Sequence, residues 1–343
     1  MTRRRWWLAA VLLSLLALLA GACGSDDDPA VDSGANDDAA GDTEPAVPEF
    51  EEGTTMAKLQ AAGKITVGTK FDQPLFGLKD PVSGDVQGFD VEIAKLIAQR
   101  IFGGSLEDAA DKIEFVETVS ANREPFIEEG KVDMVVATYT INDTRKQRVD
   151  FAGPYYIAGQ DIMVKKGDTS IKSVEDLNGK KVCSVVGSTS IKNVQAKAPQ
   201  ADVSVSFDKY SLCAEALKDG RVQAVTTDNI ILLGLIKDSP NDFQLVGETF
   251  TEEPYGIGIK KGDDDFRDFI NEVLEEIYES GEWEEAFDRT VGEAGEEAPE
   301  PPKVDRYTSG GAAGGTGAST TTAGGGSGGT TTTMAPTTST AKP

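Results

Sequence analysis

Apolar and polar positions follow two rhythms along the middle of the chain. Short runs rich in β-branched residues, such as "KITVGT" from Lys64 and "KIEFVETV" from Lys112, have the length and composition of strands. Between them, "GFDVEIAKLIAQRIF" sets Ile93, Leu96, Ile97 and Ile101 at helical spacing, with Asp90 placed as its N-cap. "NREPFIEEG" predicts a short helix and "KVDMVVAT" a buried strand. The alternation then recurs: "KKVCSVV" strand, "STSIKNVQAKA" helix, "DVSVSF" strand, "SLCAEALKDG" helix, "RVQAVTT" strand, "NIILLGLIKD" helix. "PYGIGIKKG" predicts a further strand, and "DDFRDFINEVLEEIYESGEWEEAFDR" two amphipathic helices. Such alternation predicts an α/β fold, with mostly parallel sheets covered by helices on both faces.

Two segments echo one another. "FIEEGKVDMVVATYT" and "ALKDGRVQAVTTDNI" share a helix end, a glycine, a base, a valine, two residues, a valine and a polar strand end. The echo predicts two similar α/β lobes, each presenting polar groups at a strand's carboxyl end. Ligands collect at such ends in open α/β sheets, and two of them face to face make a cleft. The competing reading is a chance likeness between two βα units.

The ends of the chain read differently. Residues 1–23 carry three arginines, an apolar run too short to span a bilayer, and small residues before Cys23. That is a secretory signal. Ending on Leu-Ala-Gly-Ala-Cys, it resembles a bacterial lipoprotein signal, which implies lipidation of Cys23 and a chain held at the outer face of the cytoplasmic membrane. The plainer reading is an ordinary signal peptide with an incidental cysteine. Residues 24–50 form an acidic spacer and residues 293–343 a Gly/Thr/Pro-rich tail of low complexity. The folded core between them holds two cysteines, Cys183 and Cys213, and export favours a disulfide joining them.

Composition narrows the chemistry. The formal charge is -25, from 58 acids against 33 bases, which argues against a nucleic-acid partner. The chain has no histidine, so Ser-His-Asp and Cys-His catalysis and His-based metal sites are excluded. No catalytic group, metal or cofactor is expected. Against that acidic background, "TYTINDTRKQRVDF" concentrates Arg145, Lys146 and Arg148. Thr138 and Thr140 alternate along the strand end before them, so both point to one face. A guanidinium matches a carboxylate bidentately, and hydroxyls or N–H groups complete the anion's shell. In the second lobe, Gly187-Ser188-Thr189 sits at a strand-to-helix turn that favours an anion, and Asp228 ends a strand where it can take an ammonium. Together they describe a receptor for an α-amino acid zwitterion. Taken singly, each has a plainer reading: Arg145 as a surface cation, Ser188 and Asp228 as helix caps.

At these residues the chain resembles the polar amino-acid family of bacterial extracellular solute-binding proteins, the capture subunits of ABC importers. The carriers are "QGFDVEIAKLIA", "ANREPFIEEGKVDMVVATYTINDTRKQRVDFAGPYY", "SVEDLNGKKVCSVVGSTS" and "GRVQAVTTDNIIL". The resemblance implies a two-lobed periplasmic-binding-protein-like (type II) fold with two hinge crossovers, near Ile157–Met163 and Glu252–Tyr255. Lobe 1 is then residues 54–158 and 253–292, and lobe 2 residues 159–252. It implies that Arg145, Thr138 and Thr140 hold the ligand's α-carboxylate, Asp228 its ammonium, and that Ser188 and Thr189 add donors on closure. "SANR" and "TYTINDTR" look most like glutamate/aspartate binders, in which two further cations reach the ligand's side-chain carboxylate. These correspond to Lys70 and Arg123, with Ser120 beside them. Pairing of Lys70 with Asp72, or of Arg123 with Glu124, is the competing reading. The expected partners are a glutamate or aspartate ligand and an ABC permease, with the protein a monomer. Alternatives are a sensor lipoprotein, a glutamine- or asparagine-preferring binder, and an amino-acid dehydratase of the same fold.

Overall fold

A computed structural model describes residues 47–307. The expected signal with Cys23, the spacer before residue 47 and the tail beyond residue 307 lie outside the described residues. In chain order the strands are β1 (Ile65–Thr69), β2 (Asp72–Gln73), β3 (Gly77–Lys79), β4 (Val86–Gln87), β5 (Ile113–Glu117), β6 (Met134–Val135) and β7 (Val149–Ala158). They continue as β8 (Gln160–Lys165), β9 (Val182–Val185), β10 (Ser206–Phe207), β11 (Ala224–Asp228), β12 (Phe243–Leu245) and β13 (Glu253–Lys260).

Two five-stranded sheets form the two lobes, in the orders β5-β1-β6-β13-β7 and β10-β9-β11-β8-β12. The echoed strands β6 and β11 hold matching places in the two orders, each beside the strand that opens its sheet. The sequence predicts mostly parallel sheets, but both sheets are mixed. β5, β1 and β6 run parallel, but β13 is antiparallel to both β6 and β7. Likewise β10, β9 and β11 run parallel, while β8 and β12 add antiparallel pairs. The antiparallel members are those adjoining the crossings between sheets, where the chain arrives from the other lobe rather than through a covering helix. The first crossing is Gly159 alone, between β7 and β8; the second lies between β12 and β13. A small antiparallel sheet, β2-β3-β4, stands beside the first lobe.

Strands β7 and β8 were not legible from the sequence. Gly153 and Pro154 break the run "VDFAGPYYIA", and burial on both faces removes the alternation that marks a half-exposed strand. The core of the first lobe is aromatic. Phe89 meets Phe76, Trp283 and Phe287 edge-on at 5.6–5.8 Å, and Trp283 Nε1 donates to the Tyr155 carbonyl at 2.9 Å. Residues flanking the expected core pack onto the first lobe. Phe50 packs edge-on against Phe269 at 5.3 Å, and Gln60 binds the Pro48 carbonyl. Beyond residue 293, Val304 is buried, and Tyr307 accepts from Phe151 N–H at 2.8 Å under the Lys146 ammonium. Isolated apolar anchors in a Pro-rich, acidic stretch carry no periodicity, so composition alone reads them as tail.

Cys183 and Cys213 form the expected disulfide, tying β9 to helix Tyr210–Lys218 across 30 residues. Replacing both with alanine is expected to cost about 3–4 kcal/mol of stability on the chain-entropy account, read as a lower denaturant midpoint. A loss below about 1 kcal/mol would show that the second lobe does not depend on this link.

Candidate functional site

The lobes meet along a cleft, and several contacts join them across it, three of them close to the candidate residues. Asp72 Oδ2 accepts from the backbone N–H of Tyr210 at 2.9 Å, so a first-lobe carboxylate sits at the start of a second-lobe helix. Arg145 Nη2 donates to the Gly187 carbonyl at 3.2 Å. Gly234, inside helix Asn229–Asp238, lies so near Pro74 that a Cβ there would stand 2.4 Å from its carbonyl oxygen.

Between the lobes lies a narrow inner cavity of about 10 Å³, lined by Ser120, Arg123, Thr138 and Thr140 on one side. Ser188, Thr189, Ser190, Tyr210, Thr227, Asp228 and Ile231 line the other. It is far smaller than an amino acid in this arrangement. It adjoins a wider outer cleft of about 620 Å³, into which Arg145, Glu124 and Lys192 project. Thus seven of the nine candidate ligand residues share the inner cavity, Arg145 borders the outer cleft, and Lys70 joins through Ser120.

Each side chain has a local reason for its place. Lys70, one residue past β1, is buried, and its Nζ donates to Ser120 Oγ at 2.9 Å. Arg123 begins helix Arg123–Glu128 and points back under the β6 strand end. Its Nη1 donates to the carbonyls of Ala137 and Thr138 at 3.1 and 3.2 Å, and its guanidinium stacks 4.3 Å from the Tyr139 ring. Among the described residues no carboxylate lies within ion-pair distance of Lys70 or Arg123. Asp72 reaches across the cleft instead, and Glu124 pairs with Arg145 at 3.4 Å. The competing reading of local pairing therefore does not describe this geometry.

Thr138 departs from its expected part. Strand geometry stops at Val135, and Thr138 has φ 44°, a left-handed conformation that a β-branched residue adopts only under restraint. Its N–H is committed to Asp90 Oδ2 at 2.9 Å, and its hydroxyl lies 2.9 and 3.0 Å from the Ala137 carbonyl and Gln73 Oε1. Thr138 is therefore a wall rather than a free donor. Thr140 keeps its N–H and hydroxyl outside the hydrogen bonds of the described residues, while its carbonyl accepts from Arg145 Nη1 at 2.6 Å. In the second lobe, Ser188 Oγ caps helix Thr189–Lys197 through Ile191 N–H, and the Thr189 hydroxyl donates to Glu253 Oε2 at 2.9 Å. Asp228 occupies the N-cap position of Asn229–Asp238 without capping it. Its Oδ2 accepts from Tyr255 O–H at 2.6 Å, and its Oδ1 is buried with no partner among the described residues.

Burial dominates the electrostatics. It pushes Lys70 down to about 7, helped by the Arg123 charge, and pushes Asp228 up to about 7, helped by Glu253. Burial and Arg123 lower Arg145 to about 10, which leaves it charged at neutral pH. Sequence reasoning did not single out Gln73, Glu253 or the site role of Asp90. Asp90 was expected as a helix cap; Gly88 holds that position instead, and Asp90 lies inside the first turn facing Thr138. Nothing in "GFD" beyond a helix-start signal marked Asp90 for more than capping.

Comparison with known proteins agrees with this architecture. Residues 65–293 match the model for bacterial extracellular solute-binding proteins, family 3, and the chain belongs to that family. It is 41% identical over 284 residues to the ABC transporter glutamine-binding protein GlnH of Bacillus subtilis, covering 82% of this chain and 96% of that one. It is 41% identical over 237 residues to the glutamate-binding protein GluB of Corynebacterium glutamicum, covering 67% and 79%. Among solved structures, an ancestral arginine-binding protein bound to glutamine matches with a TM-score of 0.61 and 42% identity, over 67% of this chain and 98% of that one.

Gly234→Ala separates lobe stability from closure. Alanine favours the helix by about 1 kcal/mol, yet its methyl group meets Pro74 of the other lobe. The ligand-free protein should unfold no earlier than wild type, while amino-acid affinity falls about tenfold or more because the lobes cannot meet. Unchanged affinity would mean that the Pro74 contact is absent from the ligand-bound form.

Proposed function

We propose that this chain captures an acidic α-amino acid, glutamate before aspartate, between its lobes and delivers it to an ABC importer in the membrane. The observation that carries this reading is the opposition of unpartnered charges across the inner cavity. Among the described residues, Lys70 and Arg123 have no carboxylate within ion-pair distance on one side, and Asp228 Oδ1 has no hydrogen-bond partner on the other. An amino acid with an ionised side chain supplies both missing partners. In this reading Arg145 and the free N–H and hydroxyl of Thr140 receive the α-carboxylate, with donors from the Ser188–Thr189 turn. Asp228 receives the ammonium, and Lys70, Arg123 and Ser120 face the side chain. The two crossings, at Gly159 and between β12 and β13, act as hinges between bodies of residues 54–158 with 253–292 and residues 159–252. The protein works as a monomer, lipid-anchored through Cys23 at the outer face of the membrane, and performs no chemistry on its ligand.

Glutamine is the second reading, and one observation favours it. Lys70 sits near the midpoint of its titration at neutral pH, and Arg123 already spends its donors on three carbonyls. A half-neutral subsite accepts an amide at modest cost. The relatives named for glutamine and for glutamate span the same choice.

Calorimetric titration of protein stripped by unfolding and refolding, with glutamate, aspartate, glutamine and asparagine, separates the readings. Glutamate at least about tenfold tighter than glutamine is expected, about 1.4 kcal/mol. Glutamine equal or tighter would remove the side-chain role of Lys70 and Arg123 and leave Arg145 and Asp228 in place.

Proton balance gives a second test. Near pH 8, about one unit above its value of about 7, Lys70 is mostly neutral in the ligand-free protein. A ligand carboxylate beside it raises that value, so glutamate binding should take up a fraction of a proton. Asp228 is then already ionised, and an ammonium beside it releases little. Glutamine binding should therefore be close to proton-neutral. Calorimetry in buffers of contrasting ionisation heat reads the difference, and equal balances for the two ligands would contradict it.

A further inference from the structure

Asp90 is fully buried, lines neither the inner cavity nor the outer cleft, and has no part in the binding scheme above. Its Oδ2 accepts from Thr138 N–H at 2.9 Å and its Oδ1 from the Tyr155 hydroxyl at 2.5 Å. Both oxygens thus receive donors; burial pushes the carboxyl up to about 7 against these donors and the neighbouring cations, so above that pH the group is a carboxylate. Thr138 is the restrained residue of the cavity wall, and its carbonyl, with that of Ala137, holds the Arg123 guanidinium. The Lys70 and Arg123 charges both act on Asp90. Asp90 therefore lies one residue behind the side-chain subsite, joined to it by a hydrogen bond and by its field.

We propose that Asp90 is a specificity-determining positioning residue whose negative charge opposes the Lys70 and Arg123 cations from behind the cavity wall, so that the subsite is less positive than those two side chains alone would make it. This rests on the placement of the ligand side chain beside Lys70 and Arg123. Two buried cations with no internal counter-charge would be costly in the ligand-free protein, and two opposite charges would leave nothing for a ligand to neutralise. One carboxylate behind the wall sits between these extremes. It lets the subsite stay folded without ligand and still distinguish an acid from its amide. Its bond to Thr138 N–H also keeps the Ala137 and Thr138 carbonyls turned toward Arg123, so that guanidinium stays in place.

The test is Asp90→Asn in the full chain, titrated with glutamate and glutamine near pH 8. Asparagine retains an acceptor for Thr138 N–H and a donor for the Tyr155 oxygen, so the wall is kept while the charge goes. Removing a negative charge within Coulombic reach of the ligand's carboxylate should shift the glutamine-to-glutamate Kd ratio toward glutamate by about tenfold. A purely structural Asp90 would change both affinities together. A ratio constant within about twofold, or one moving toward glutamine, overturns the proposal. Asp90→Ser, which removes the charge and leaves room for water at Thr138 N–H, must shift the ratio in the same direction. Wild-type protein that binds glutamine more tightly would refute the glutamate assignment of the preceding section. The direction of the change at Asp90 would still decide the present one.

Discussion

Charge buried without a direct ion pair is the constraint on which the rest of the structure depends. Lys70, Arg123 and Asp228 are all withdrawn from water at the meeting of the lobes. Ionised groups in such surroundings cost several kcal/mol each unless something pairs with them. The fold gives partial relief. Ser120 and backbone carbonyls receive the hydrogen bonds of the cations, the Tyr139 ring lies against Arg123, and Tyr255 binds one oxygen of Asp228. What these contacts do not provide is an ion pair in direct contact, since Asp90 acts only from behind the wall, and an amino acid with an ionised side chain provides one on both sides at once. In this account affinity and closure share a cause, because the lobes meet most favourably when the charges between them are balanced.

The remainder of the architecture keeps those groups where water does not reach them. Matching sheet orders bring two strand ends, β6 and β11, to opposite walls of one cleft. The disulfide holds the helix that presents Tyr210 to the cavity, and Asp72 meets that same helix across the cleft. Close backbone approaches at Gly187 and Gly234 let the lobes come together without intervening side chains; a Cβ at Gly187 would stand 2.7 Å from Ala121. Glu253 adds a further tie at the second crossing. Its two oxygens accept from Thr189, Asn193 and Thr251, so the strand leaving the second lobe is fastened to the turn that borders the site.

Much of this was legible in the sequence because it is local. Helical spacing in "GFDVEIAKLIAQRIF", the paired frames ending in "VVATYT" and "VTTDNI", and a cationic knot in an acidic chain each reflect a short-range rule. Residues acting through long-range contacts were not legible. Asp90 looks like a cap until Thr138 is brought to it across 48 positions, and the left-handed turn at Thr138 has no signature in its own side chain. Strands β7 and β8 are buried on both faces, so periodicity could not reveal them. Val304 and Tyr307 anchor a segment whose composition reads as tail. Cysteine pairing was legible because only two cysteines follow the expected export signal.

The structure of the protein crystallised with glutamate tests the account most directly. The account expects the ligand in the inner cavity, widened to hold it, with its ammonium on Asp228 Oδ1, its α-carboxylate on Arg145 and Thr140, and its side-chain carboxylate beside Lys70. Glutamate in the outer cleft, or in the inner cavity with its ammonium away from Asp228, would contradict the claim that unpartnered buried charge defines this site.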